Sequence, residues 1–393
     1  MAVKIVRQPN RIALLGAPTS AAAMSAGHEG APTALRSAGL IERLRSVGYE
    51  VTDLGDDPPQ VYKPDDESPR ARNLPAVIAA LEALKPRVEQ AVKSAALPVI
   101  LSGDCSIALA TVAGARRYFR NVSMIYMDRD ADLNTPATTP SGCVDGMTVS
   151  HLTGTGAAEM VRFWGEPPLV REPDLALFGV ARLDPAEEQL LTKSPLRCFH
   201  ALDVQRTGAA AAAKSAVERI HANGYEFILH FDVDVIADFQ ATNYPGSGGL
   251  SLDEVRAALE VFAAQKHLAA IEVTAYNPAK DPEGSGAKTI VELLADVLAK
   301  RLEALKAAAE AAPAQAPAAA LASAKASVAP VVTEAAPAQE IPVPEVVAPG
   351  EAWSSDSLPD SSENESPEMP SDTSSDTAES SAESPGEREE SPS

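Results

Sequence analysis

Cysteine is scarce in this chain: Cys105, Cys143 and Cys198 are the only ones among 393 residues. Three thiols build no disulfide framework and fit a reducing compartment. No stripe of Lys and Arg occurs, which excludes the electrostatic footprint of a nucleic-acid binder. No apolar run reaches the roughly 20 residues that a bilayer crossing needs. The opening MAVKIVRQPN lacks the apolar core of a signal peptide. A cytoplasmic protein with no nucleic-acid and no membrane partner is therefore expected. Acidic charge, by contrast, is abundant, with a net charge of −22. From Val331 to Ser393, 16 Asp and Glu stand against Arg388 alone, so about −15 of the −22 lies there and about −7 on the rest.

From about residue 10 to 308, strand-like and helix-like segments alternate. The candidate strands are RIALLGAP, YEVTDLGD, LPVILSGD, NVSMIYMD, DLALFGVA, RCFHALDV, YEFILHFDVDV and LAAIEVTAYNP. Helical patterns such as LPAVIAALEALKPRVEQAVKSAA and SLDEVRAALEVFAAQ lie between most of them. Near-continuous apolar strands alternating with helices predict an α/β domain over residues 1–308, with a parallel sheet covered on both faces. Residues 309–393 turn first to Ala, Pro and Val, then to Ser, Glu and Pro. That composition buries too little apolar surface to offset ordering, so a disordered tail is expected, either solubilising or docking.

Two acidic ladders stand out. MIYMDRDADLNTP carries Asp128, Asp130 and Asp132, and FILHFDVDV carries Asp232 and Asp234. If each continues its strand, alternate side chains share a face, so the aspartates converge while Arg129, Ala131 and Val233 point away. Gathered carboxylates need compensating positive charge, and hard divalent cations are the usual remedy. His230 has the same parity as Asp232 and Asp234. It reads as a satisfied core histidine before it reads as a supporting group of the site. Cys105 in SGDCS reads equally as a small buried hydrophobe or as a ligand. The PGSGG run at 245–249 has no following phosphate-loop lysine and reads as a turn.

Four segments, LLGAPTSAAAMSAGHEGAPTALRSAGL, the SGD turn, DLNTPATTPSG and FDVDV, together make residues 10–305 resemble the ureohydrolase superfamily of arginase, agmatinase and formimidoylglutamase. The resemblance implies a three-layer α/β/α sandwich with a sheet of about eight parallel strands, two Mn²⁺ ions, and a bridging hydroxide that attacks a guanidinium-type carbon. Homo-trimers or hexamers are common in such proteins. Position by position, Asp128, Asp132, Asp232 and Asp234 match the metal carboxylates, with Asp128 and Asp232 as the bridging pair. Asn134, Thr139 and Ser141 match groups around a substrate α-carboxylate, and Asp184 and Glu187 match acids that hold its α-amino group.

The departures are specific. Cys105 and Asp130 stand where the family has metal histidines. Asp145 stands at the proton-shuttle histidine, and otherwise reads as a helix N-cap for GMTVSHL. Ala275 replaces the acid that grips the guanidinium, and Glu272 lies three residues earlier, on the opposite face of a regular strand. Arg129 fills a position usually held by a small residue. The expected ligand set is thus Cys105, Asp128, Asp130, Asp132, Asp232 and Asp234, more acidic than the family's and tilted by a thiolate toward softer metals. Two functions follow: a metal-dependent hydrolase of a linear C–N bond in an amino-acid-like substrate, or a catalytically silent protein of the same fold that binds a ligand or partner.

Overall fold

The computed structural model describes residues 5, 7–221 and 225–311. The last helix runs Ser285–Ala311, and the expected tail lies outside the described residues from 312 onward. The strands are β1 (Arg11–Ala17), β2 (Glu50–Asp56), β3 (Leu97–Ser102), β4 (Val122–Met127), β5 (Leu175–Val180), β6 (Arg197–His200), β7 (Glu226–Asp232) and β8 (Leu268–Thr274). They form one sheet in the order β2-β1-β3-β8-β7-β4-β5-β6. Every pairing is parallel. Every residue of β3, β4 and β8 is buried. That is the burial expected of central parallel strands with helices on both sides.

Alternation along each strand feeds two separate cores. On one face Ile12, Leu14, Val99, Leu101, Ile125 and Met127 pack with the helices Ala209–His221, Leu252–Ala263 and Ser285–Ala311. On the other, Ala13, Leu15, Ile100, Met124 and Tyr126 pack with Leu74–Lys93 and Ala108–Ala115. The three-layer α/β/α arrangement is thus written in the strands' own period of two. Ser251 caps its helix as the SLDE motif predicts, with Glu254 reaching back in a capping box. No described helix is long and apolar enough to cross a membrane.

Two strand ends differ from expectation. RCFHALDV was expected to run as one strand, but β6 stops at His200 and a helix, Ala201–Thr207, follows. Ala201 and Val204 are buried three residues apart, a helical spacing, and β6 is an edge strand paired only with β5. FDVDV also leaves the sheet early. β7 ends at Asp232, and residues Val233–Val235 form a 3₁₀ turn.

His151 offers a clean pH test. It is buried in the helix Thr148–Thr153, and its Nε2 accepts from the Ala157 backbone N–H at 3.1 Å. Burial lowers its pKa from 6.5 to about 4. As pH falls below 6.5 the unfolded chain takes up this proton while the folded chain resists, so the contribution is full above that pH and is lost on acidification. Between pH 7 and 5 the wild type should lose about 2 kcal/mol more stability than His151→Gln. Denaturant melts at both pH values check this, and equal losses would remove the assignment.

Candidate metal centre

The site lies at the carboxyl ends of the central strands β3, β4, β7 and β8, where open parallel sheets collect function. After β3 the chain turns at Gly103, where a Cβ would sit 1.8 Å from the Thr19 carbonyl oxygen. Cys105 follows, in a 3₁₀ turn. Its backbone N–H donates to Asp145 Oδ1 at 2.6 Å, and its Sγ donates to Asp232 Oδ2 at 3.0 Å. After β4, Asp128 accepts the Asp130 backbone N–H on Oδ1 at 2.7 Å. After β7 the same device recurs, with Asp232 Oδ1 accepting the Asp234 N–H at 2.7 Å.

Each Asp-x-Asp pair is therefore a side-chain turn beyond or at the end of its strand. The aspartates converge through these turns and not by strand alternation. The expectation that Arg129 points away fails for the same reason. Asp132 sits at φ 50°, a left-handed conformation, and its carboxylate accepts from the Tyr126 hydroxyl.

Two groups of donor atoms form, each with all its atoms within 4.8 Å of one another. One joins Cys105, Asp128, His230 and Asp232, and the other joins Asp128, Asp130 and Asp234. Asp128 belongs to both, as a bridging ligand would. Asp232 lies beside it in the first, and Asp132 joins neither. Sequence reasoning missed His230 as a possible ligand. Its parity with Asp232 was the available signal.

His230 is fully buried, its ring stacked on Tyr126 at 4.1 Å between centroids. Its Nδ1 lies 2.7 Å from Glu272 Oε2, and its Nε2 lies 3.3 Å from Thr274 Oγ1. Glu272 is thus spent on the histidine. No carboxylate stands at Ala275, which is itself buried.

The second group is already faced by cations. Arg129 is buried, and its guanidinium donates to Asp234 Oδ2 at 3.3 Å and to the Tyr244 carbonyl. Arg182 grips Asp130 with both Nε and Nη2. The PGSGG turn makes room for this. A Cβ on Gly246 would lie 2.1 Å from Arg129 Nη1.

Burial first, and mutual repulsion second, hold the Asp128, Asp132, Asp145 and Asp234 carboxyls well above the usual range. The Cys105 thiol is raised too, by burial and then by the surrounding acids. Asp234 Oδ1 is buried with no hydrogen-bond partner. Such a site is incomplete without added positive charge. The first group, with thiol, imidazole and two carboxylates, fits a divalent cation. The second group does not fit one as it stands, because Asp130 and Asp234 are each paired with a guanidinium.

A cavity of about 270 Å³ opens over this centre. It is lined by Cys105, Asp128, Asp130, Asp132, Asp145, Asp232 and Asp234, and by Asn134, Thr139, Ser141, Asp184 and Glu187. The residues expected as ligands, as proton shuttle and as substrate contacts therefore all line one cavity. Asn134 Nδ2 donates to Asp184 Oδ2 at 2.7 Å. Thr139 Oγ1 accepts from the Ser141 and Gly142 N–H groups, and Ser141 Oγ accepts from Cys143 N–H.

Glu187 uses both oxygens on the backbone N–H groups of Leu133 and Asp184, tying two loops together. Asp145 does not cap the following helix. Its second oxygen accepts from the Tyr244 hydroxyl at 3.2 Å. Removing Arg129 should leave Asp234 buried and unpaired. Arg129→Ala is expected to lower stability in chelator by about 3 kcal/mol, read by denaturant unfolding. A loss under about 1 kcal/mol, the range of exposed pairs, would contradict this.

Comparison with known proteins agrees with the geometry. The arginase family description matches residues 10–299. The arginase of Bacillus subtilis (strain 168) is 31% identical over 294 residues, covering 74% of this chain and 98% of that protein. The solved arginase of Bacillus caldovelox superposes with a TM-score of 0.68 at 28% identity, over 74% of this chain and 98% of that one. Proclavaminate amidino hydrolase of Streptomyces clavuligerus, at 17% identity and a TM-score of 0.58, over 77% of this chain and 96% of that one, shares the fold.

Proposed function

The chain belongs to the arginase family, and from that premise we propose that it is a metal-dependent hydrolase. It cleaves a linear C–N bond of the amidino type in an amino-acid-like substrate. The observation that carries this reading is that Cys105, Asp128 and Asp232, which group with the buried His230, line the same cavity as Asn134, Thr139, Ser141 and Asp184. When bound, a divalent cation would lower the pKa of a coordinated water and polarise the carbon under attack.

The chain's own residues supply the rest. Thr139 and Ser141 take backbone N–H groups on their oxygens, and the two oxygens lie 3.5 Å apart. At least one hydroxyl proton is thus free to be donated to a substrate carboxylate. Asp184, held by Asn134, faces an α-amino group as an acceptor. Glu187 positions these two loops. The reacting end of the pocket offers no carboxylate at Ala275. The family's clamp on a guanidino group is therefore absent, and a cationic amidine would be met by the aspartates around the centre.

Incubating the full chain with divalent metal and a panel of arginine, agmatine and formiminoglutamate tests the proposal by release of urea or ammonia. Product is expected from an amidine member of the panel. Absence of product across the panel would end the hydrolase reading.

Within an active pair, Asp232→Asn should lower turnover by more than roughly 100-fold, beyond the cost of a merely supporting residue. Ser141→Ala should raise KM about 10-fold with kcat nearly unchanged, as loss of uniform binding does. Steady-state kinetics separates the two.

A further inference from the structure

We propose that this site holds one metal ion of the zinc class, bound by Cys105, Asp128, His230 and Asp232, and that Arg129 and Arg182 stand in for a second ion. The inference rests on the reading above only in requiring a cation.

The donor set comes first. Sulfur, nitrogen and two carboxylate oxygens lie within 4.8 Å of one another, all on buried residues. A tetrahedral ion with bonds of about 2.0–2.3 Å holds its donors roughly 3.5 Å apart, so this group closes on one ion by a small inward movement. The Thr274 hydroxyl ties three of the four together. It lies 3.3 Å from His230 Nε2, and 3.5 Å from both Cys105 Sγ and Asp232 Oδ2.

Glu272 prepares the histidine. Glu272 Oε2 lies 2.7 Å from Nδ1, and with the carboxylate accepting there the imidazole turns its Nε2 lone pair towards the other donors. A carboxylate behind a histidine is the usual support of a metal ligand. Thiolate and imidazole together favour Zn²⁺ or Co²⁺ over the oxygen-preferring Mn²⁺. On binding, the Cys105 sulfur enters as thiolate and its proton leaves to solvent.

The second part concerns Asp130 and Asp234. Each carboxylate of this pair is met by its own guanidinium, Arg182 and Arg129 respectively. Two guanidiniums carry the charge of one divalent ion, so the pair is neutralised without metal. Arg129 is built in, not adventitious. It is buried, it donates to the Tyr244 carbonyl, and Gly246 leaves its space open.

The test uses the full chain and the metals alone. After equilibration with Zn²⁺, Co²⁺ or Mn²⁺ and removal of excess, native mass spectrometry should find one ion per chain, with Zn²⁺ and Co²⁺ retained in preference to Mn²⁺. The Co²⁺ form should show a thiolate-to-cobalt charge-transfer band that Cys105→Ser abolishes. His230→Gln should weaken Zn²⁺ affinity at least tenfold. Arg129→Ala should take up a second ion, and added metal should restore its stability.

Two Mn²⁺ in the wild type, no bound ion, or a Co²⁺ spectrum without the thiolate band would each overturn the proposal. So would unchanged affinity in a folded His230→Gln, or a single ion in a folded Arg129→Ala. The cobalt spectrum of the wild type decides the matter even where a variant does not fold. Hydrolysis by a two-manganese wild type would sink this inference alone. One zinc-class ion with no product from the substrate panel would sink the hydrolase reading alone.

Discussion

Repulsion among buried carboxylates governs the centre of this molecule. Asp128, Asp132, Asp145 and Asp234 lie at most 6% exposed around one cavity, and each is held well above its ordinary pKa by burial and by its neighbours. A cluster of that kind persists only where other groups offset it. Backbone N–H groups do part of the work, at Asp130, Asp234 and Cys105. Arg129 and Arg182 do more, by direct pairing. The wall of the cavity follows from these demands. Tyr244 gives its carbonyl to Arg129 and its hydroxyl to Asp145, so one residue braces both the cationic and the anionic side.

The cavity has two ends with different chemistry. One end is hydroxyls, an amide and an acid, from Asn134 to Ser141 and at Asp184, each oriented by a neighbouring hydrogen bond. This is the end proposed above for the zwitterionic head of an amino acid. The other end is lined by Cys105, Asp128 and Asp232, with His230 buried behind them, and lacks an acid at Ala275. Binding energy at the first end can position whatever group reacts at the second, which is how remote contacts serve catalysis. Family membership sets the general reaction, and the second end decides which substrate can use it.

Much of this was legible in the chain. The inner strands were visible as apolar runs, because buried parallel strands carry few polar interruptions, whereas the edge strands β2 and β6 are mostly polar and part-exposed. The acidic ladders marked the site, since carboxylates that follow such runs have few other reasons to cluster. Three things were hidden. His230 faces Glu272 because β7 and β8 align in a register that places them opposite each other, 42 residues apart. Asp132 takes a left-handed backbone, which no local pattern announces. Arg129 turns inward because the strand has ended before it, so the period of two no longer applies. Each depends on geometry outside its own segment.

Arg129 and Gly246 are complementary in volume, since a Cβ on one would overlap the guanidinium of the other. Their tolerances to substitution are therefore linked. A side chain introduced at 246 would push the Arg129 guanidinium off Asp234 and the Tyr244 carbonyl, and meets no such obstacle once 129 is small. The order in which changes arrive then matters. A chain that acquired the glycine first could later accept the arginine, whereas the reverse order passes through a clash. The present pairing thus imposes an order on change, and restoring an open, small-residue version of this wall requires position 129 to change before position 246 is free to vary.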